Sequence, residues 1–222
     1  MSYTGAVHAG GDPDVRELSR LTITKLAVDE QMSNNCYLLE CRATGARLLV
    51  DAADDGTRLL ELTGPSLGTV VTTHQHWDHH RALREVVLAT GATTVAGVPD
   101  AEAITEQTGV EIDRPVGADD TVSVGEVTLQ VIPIAGHTPG SVCLRYDDPD
   151  GHPHLWTGDC LFPGGVGATF GNAEAFAQLI DEVETRIFGT LPDDTWFYPG
   201  HGDDGQLGNE RPHLAEWHER GW

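Results

Sequence analysis

Thr72-Thr73-His74-Gln75-His76-Trp77-Asp78-His79-His80 is the stretch on which the reading of this chain turns. The residues just before it, Gly68–Thr73 (GTVVTT), are short, apolar and β-branched, the pattern of a buried strand. That strand runs straight into four ligand-type side chains, His74, His76, Asp78 and His79. A strand end followed by a loop can aim several side chains into one cleft. In an extended segment, alternation places His74 and His76 on the same side. Imidazole nitrogens suit zinc, manganese or iron, and a carboxylate adds a harder donor. Of the 11 histidines in the chain, four fall within these nine positions, so a metal centre is the expected use of the segment.

Working outward, three more ligand-type residues follow strand-like runs. Val127–Pro133 precedes AGHTPGS, which carries His137. His154–Thr157 leads into TGDC, which carries Asp159. Thr195–Pro199 leads into PGHG, which carries His201. Each sits beside glycine, where the backbone can turn sharply or an ion can approach closely. Further strands are predicted at Leu21–Ala27, Cys36–Glu40, Ala46–Val50, Thr121–Val124 and Val142–Tyr146, with Ala43-Thr44-Gly45 as a hairpin turn. Helices are predicted at Thr57–Leu62, His79–Ala89, Pro99–Gln107 and from an Asn172 N-cap through Phe188, the last with Phe176, Leu179, Ile180, Val183 and Ile187 on one face. Two β-rich halves with helices suggest two packed sheets with the helices outside.

Composition narrows the function classes. The chain has 222 residues, 13 Lys+Arg and 35 Asp+Glu, a formal net charge of −22. Such a surface repels phosphate backbones and anionic lipid headgroups, so neither nucleic acid nor a membrane is an expected partner. The 39% hydrophobic content and regular Gly/Pro punctuation indicate a folded chain. Residues 1–20 read as a loose lead-in without the basic and apolar regions of a secretory leader, and residues 21–222 as one domain. The four cysteines, Cys36, Cys41, Cys143 and Cys160, form no Cys-x-x-Cys pair, which fits a reducing, cytoplasmic setting.

Taken in order, His-x-His-x-Asp-His, GHTPGS, GD and PGHG resemble the metallo-β-lactamase superfamily, from about Leu21 to His201. NNCYLLE, LLVDA and GDCLFPGGVG fit the same pattern, and the glyoxalase II (hydroxyacylglutathione hydrolase) branch looks closest. The resemblance implies an α/β fold, the αββα four-layer sandwich, with the metal site at one edge of the two sheets. It also implies two divalent metal ions, zinc foremost, with iron or manganese as alternatives. His74, His76 and His137 would hold the first ion and Asp78, His79 and His201 the second, with Asp159 bridging. The implied activity is hydrolysis of a thioester or small ester of a small-molecule substrate by a metal-bound hydroxide, with Asp78 as the catalytic carboxylate that orients it or handles its proton.

Departures from the family pattern bear on the substrate. About twenty residues follow His201, where full-length glyoxalase II has a helical domain that grips glutathione. ATFGN follows GGVG where many relatives have an arginine-threonine-aspartate run, and His80-Arg81-Ala82 stands where many have a glycine. The alternatives are a mononuclear iron persulfide dioxygenase on His74, His137 and Asp159, a lactonase, or a non-enzymatic metal-binding domain. Oligomeric state is left open. Among the other polar residues, Asp51, at a strand end, either backs a metal histidine or is a carboxylate of the turn. His80 is expected in solvent or at a helix start, His152 and His154 at the surface, and Cys160 as a small buried hydrophobe. His213, Trp217, His218 and Trp222 are expected in a helical tail packed on the body.

Overall fold

The computed structural model describes residues 3–221. The first sheet takes its strands in sequence order: β1 (Asp14–Glu17), β2 (Leu21–Ala27), β3 (Asn35–Cys41), β4 (Arg47–Val50), β5 (Leu67–Thr72), β6 (Thr93–Gly97) and β7 (Arg114–Val116). Pairing is antiparallel from β1 to β4 and parallel from β4 to β7. The second half supplies β8 (Thr121–Val124), β9 (Val127–Pro133), β10 (Val142–Asp147) and β11 (Pro153–Gly158). A two-stranded ribbon follows, β12 (Leu161–Phe162) and β13 (Gly165–Val166), and then β14 (Trp196–Pro199) and β15 (Gly205–Gln206). The second sheet is ordered β15-β14-β11-β10-β9-β8.

Alternation along the strands builds the layers. Tyr37 and Leu39 of β3, Leu48 and Val50 of β4 and Val71 of β5 meet Leu129, Val131, Leu144, Trp156 and Tyr198 of the other sheet in one buried core. The opposite face of the first sheet (Leu38, Leu49, Val70, Ala96) packs on α1 (Gly56–Thr63), α2 (Leu83–Thr90) and α3 (Ala101–Thr108) through Leu59, Leu83, Val86 and Ile104. The outer face of the second sheet (Cys143, Leu155, Phe197) packs on α4 (Ala173–Glu182), which continues as a π-helical turn, Val183–Phe188. The result is the expected αββα order. Among the described residues no helix is long and apolar enough to cross a membrane.

Most predicted elements are found within two or three residues. Asn172 caps α4, its Oδ1 accepting from the backbone of Glu174 and Ala175 at 3.1 Å. After α5 (Leu207–Glu210), α6 (Leu214–Arg220) buries Trp217 against Phe188, with ring centroids 6.0 Å apart. Trp222 of the tail lies outside the described residues. The helix predicted from His79 begins later: Trp77–His79 is a 3-10 turn, and α2 starts at Leu83. The lead-in also needs correcting. Asp14–Glu17 pairs with Thr22–Lys25, and Tyr3 packs against the inter-sheet core. The Asp14 carboxylate accepts from the backbone of Thr4 and Gly5, which fastens the segment.

His80 and His154 are not surface residues. His80 is buried, and its Nε2 lies 3.1 Å from the Gln75 carbonyl. His154 is fully buried on the inner face of β11, with Nδ1 2.8 Å from the Tyr198 hydroxyl. The partner of His80 lies in its own loop, whereas that of His154 comes from β14.

Candidate metal centre

The strands end together at one edge of the sandwich, and this convergence builds the site. The β5 end delivers His74, and the loop behind it His76, Asp78 and His79. The loop after β9 delivers His137, the β11 end Asp159, and the loop after β14 His201. Glycines let these loops close in. A Cβ at Gly200 would stand 2.5 Å from both Asp159 Oδ1 and His79 Cε1, and one at Gly167 would overlap the Asp159 carbonyl.

Two clusters result, sharing one carboxylate. His74 Nε2, His76 Nδ1 and His137 Nε2 form a triangle with sides of 3.2, 2.9 and 3.2 Å. A tetrahedral ion with metal–nitrogen bonds of about 2.0–2.1 Å would hold its nitrogens about 3.3 Å apart, so the triangle is the right size. In the second cluster, His79 Nε2 lies 3.1 Å from His201 Nε2, and Asp78 Oδ2 lies 3.5 and 3.3 Å from these two nitrogens. Asp159 faces both. Its Oδ2 is 3.6 Å from His137 Nε2 and 3.4 Å from His201 Nε2, and its Oδ1 is 3.4 Å from His79 Nε2. The triads His74/His76/His137, His74/His79/Asp159 and Asp78/His79/His201 each bring one donor atom per residue within 4.8 Å of the others.

Outer partners fix which ring nitrogen faces inward. The His137 Nδ1–H donates to the Ala168 carbonyl at 2.8 Å and the His201 Nδ1–H to the Met32 carbonyl at 2.7 Å. The His79 Nδ1–H donates to Asp51 Oδ2 at 2.9 Å. Thr73 Oγ1 donates to that same Asp51 oxygen and so accepts from His74 Nδ1–H at 3.1 Å. Carbonyls and carboxylates only accept, so each outer nitrogen carries the proton, and four Nε2 lone pairs converge on the centre. Asp159 Oδ1 is buried without a hydrogen-bond partner among the described residues. Converging lone pairs and an orphaned buried carboxylate oxygen are what a cation would satisfy.

Charge follows the same logic. Burial holds His74 and His137 below the usual histidine range and lowers His76 to about 4, with the crowded neighbouring rings adding to it. Burial would also lower His201, but bonds from Asp159 and Asp78 outweigh it and raise the ring to about 9. Burial likewise opposes charge on His79, yet Asp159 and Asp51 hold that ring well above its usual value. Asp78 and Asp159 show the reverse balance. Burial alone would raise both, and the nearby His201 and His79 keep them below the normal carboxylate range.

The structure therefore brings together all seven candidate residues, His74, His76, Asp78, His79, His137, Asp159 and His201, and of the two readings of Asp51 it favours the one behind a histidine, His79. Cys160 is a buried core residue beside the site, as read from the sequence. Asn34, Thr73, Asp100 and Phe170 were not singled out by the sequence. Asn34 Nδ2 donates to Asp78 Oδ2 at 3.0 Å. The buried Asp100 carboxylate accepts from Gln75 N (2.9 Å), Thr138 Oγ1 (2.6 Å) and Gly140 N (2.7 Å), tying the two histidine loops together. Phe170 is 78% exposed at φ 54°, its ring 5.7 Å from that of His76. Thr73 lies in the TTHQHWDHH stretch, Asn34 in NNCYLLE and Phe170 in ATFGN, whereas Asp100 falls outside every quoted motif.

Comparison with known proteins agrees with this geometry. Residues 30–201 match the family model described as "Metallo-beta-lactamase superfamily". A hydroxyacylglutathione hydrolase of Polaromonas sp. is 34% identical over 168 residues, covering 74% of this chain and 60% of the relative. One from Rhodospirillum rubrum is 31% identical over 186 residues, covering 83% and 67%. The chain thus spans about three-fifths to two-thirds of the curated relatives it matches. The crystal structure of ETHE1 from Myxococcus xanthus superposes with a TM-score of 0.71 at 32% identity, covering 88% of this chain and 84% of that one. With two sheets between helices, histidine- and aspartate-bearing loops gathered at one sheet edge and a family match over most of its length, the chain belongs to the metallo-β-lactamase superfamily.

Proposed function

We propose that the protein is a dinuclear metal-dependent hydrolase, with zinc as the native metal, that cleaves a thioester or small ester in the manner of the hydroxyacylglutathione hydrolases. The observation that carries this reading is the pair of complete clusters sharing Asp159. His74, His76 and His137 would hold one ion and Asp78, His79 and His201 the other, with the Asp159 carboxylate facing both clusters. When bound, such ions supply a water of lowered pKa and polarise the acyl oxygen. The chain's own groups do the rest. Asn34 fixes the Asp78 carboxylate, which stays ionised and orients the attacking water. Asp51 and the Ala168 and Met32 carbonyls keep the imidazoles in the tautomer that binds. In the reaction the water oxygen bonds to the acyl carbon, the C–S or C–O bond breaks, and the leaving thiol or alcohol takes up the proton.

Phe170, exposed beside His76 and His137, offers an apolar wall for the acyl or carrier portion. A small-molecule substrate in a cytoplasmic setting fits the acidic surface and the four free, buried cysteines. A mononuclear iron dioxygenase would use only His74, His137 and Asp159, and would leave Asp78, His79 and His201 as a complete cluster without a task. The test is a panel of thioester, lactone and persulfide substrates run on an oxygen electrode. Thioester hydrolysis without oxygen uptake is the expected result. Oxygen consumption with a persulfide and no hydrolysis would overturn the reading.

A further inference from the structure

Against the loop that carries the metal residues lies a groove of about 430 Å³, lined by Trp77, His80, Arg81, Arg84, Gln107 and Thr108. Its lining contains no carboxylate, although the chain has 35 Asp+Glu against 13 Lys+Arg. The two arginines are not equivalent. Arg81 is already neutralised, with its guanidinium 2.8 Å from Asp29 Oδ2 and 3.2 Å from Asp54 Oδ2, and it lies 4.9 Å from the Trp77 ring centroid. Arg84 is exposed and makes no hydrogen bond or ion pair with any described residue. It lies across the C-terminal end of α3, where a Cβ on Gly109 would stand 2.7 Å from Arg84 Nη1. That end of a helix favours a cation.

Trp77 is the other anomaly. It stands between His76 and Asp78 in the metal loop, yet its indole is 55% exposed and buttressed by Arg81. Beneath it the Gln75 carbonyl accepts from Gln107 Nε2 at 3.1 Å, and His80 Nε2 lies 3.1 Å from it as well. An unpaired guanidinium beside a fixed, exposed aromatic face, in a pocket free of acids, is a receptor for an anion with an apolar neighbour.

We infer that this groove binds a carboxylate carried by the substrate, with Arg84 as the ion-pair partner and the Trp77 indole packing on the adjoining chain. The inference rests on the thioester reading for its place in catalysis, but the groove's binding can be measured without it. The carboxylate can belong to the leaving thiol or to the acyl group, since either presents the same charge to Arg84.

Two measurements test this on zinc-loaded protein. In the first, 4-phenylbutyrate and its neutral amide are titrated calorimetrically into wild type, Arg84→Gln and Arg20→Gln. Arg20 is exposed, lies next to β2 at its far end and changes net charge equally. Wild type and Arg20→Gln are expected to bind the acid about tenfold more tightly than the amide, and Arg84→Gln to lose that preference. No preference in wild type, or an unchanged preference in Arg84→Gln, overturns the proposal. The second compares turnover of S-propionyl-2-mercaptoethanol, S-propionyl-3-mercaptopropionate and S-succinyl-2-mercaptoethanol. Arg84→Gln is expected to raise KM about tenfold for one of the two carboxylates, which identifies the side, with kcat within twofold. Equal KM in both proteins overturns the role in catalysis. Failure to hydrolyse any of the three sinks the thioester reading, while the calorimetry still decides the groove.

Discussion

Asp51→Asn is the most informative single substitution outside the metal-facing residues. The buried Asp51 carboxylate accepts from Thr73 N at 2.7 Å, Thr73 Oγ1 at 2.9 Å and His79 Nδ1 at 2.9 Å. Asparagine fills the same volume but replaces one acceptor oxygen by an NH₂ group. In the arrangement that leaves no donor unpaired, Oδ1 stays on Thr73 N, and Nδ2 faces His79 and the Thr73 hydroxyl. His79 Nδ1 must then accept, so its proton moves to Nε2, the atom aimed at the metal. Binding an ion at His79 requires reversing that tautomer. Loss of such an outer partner typically costs about 10–100-fold in metal affinity, or about 1.4–2.7 kcal/mol. The Thr73 hydroxyl, now accepting from Nδ2, turns its own proton to His74 Nδ1, so the tautomer of His74 is reversed in the same way. Equilibrium dialysis against a competing chelator is therefore expected to show both ions weakened, each about 10–100-fold. Melting of the metal-free protein should change by less than about 1.5 kcal/mol, because the amide remains fully paired. Wild-type affinity at either site would refute the tautomer argument.

Other perturbations act through different elements. Lys25 is fully buried and donates to Asp204 Oδ1 (2.7 Å), Gly202 O (2.8 Å) and Gly5 O (2.9 Å). Lys25→Met strands Asp204 and is expected to cost about 3–5 kcal/mol, seen as a drop in melting temperature of about 6–20 °C. Burial holds Asp204 above the usual carboxylate range, so protonation relieves it and the deficit should shrink as pH falls; a pH-independent deficit would contradict this. Gly200→Ala should deplete bound metal, because the new Cβ collides with Asp159 Oδ1 and His79 Cε1, and unchanged metal content would show that the loop can give way. The metal-free protein should be most stable near the unperturbed histidine pKa of 6.5. Rings with depressed pKa values, such as His76 at about 4, cost stability as pH falls from that value, because only the unfolded chain takes up their protons. Rings with raised values, such as His201 at about 9, lose their stabilisation as pH rises toward 9. Zinc holds the rings neutral in the folded state, so it should abolish the alkaline decline in melting scans.

The ligand residues were legible in the sequence because strand, turn and ligand lie within a few positions of one another, as in Val71-Thr72-Thr73-His74 and Thr157-Gly158-Asp159. The long, alternating or β-branched strands were legible for the same local reason. What escaped depends on partners distant in the chain. β1 exists through pairing with β2, and β7 through pairing with β6. β6 (TTVAG) is a short parallel strand buried over four of its five residues and shows no alternation. His154 looked like a surface residue because nothing near it in sequence names the Tyr198 hydroxyl of β14 as its partner. His80 is a different case: its partner, the Gln75 carbonyl, is close in sequence but is reached through a 3-10 turn that the helix expected from His79 did not anticipate. Asp100 was invisible for the same reason as His154: its three donors come from Gln75, Thr138 and Gly140.

The central claim is that seven side chains from four strand-end loops form one two-ion centre shared through Asp159. Its most direct test is metal counting on chelator-stripped protein reloaded with zinc, desalted and analysed by plasma mass spectrometry. The account predicts close to two zinc ions per wild-type chain. One ion or none, under conditions where the chain is folded, would contradict it.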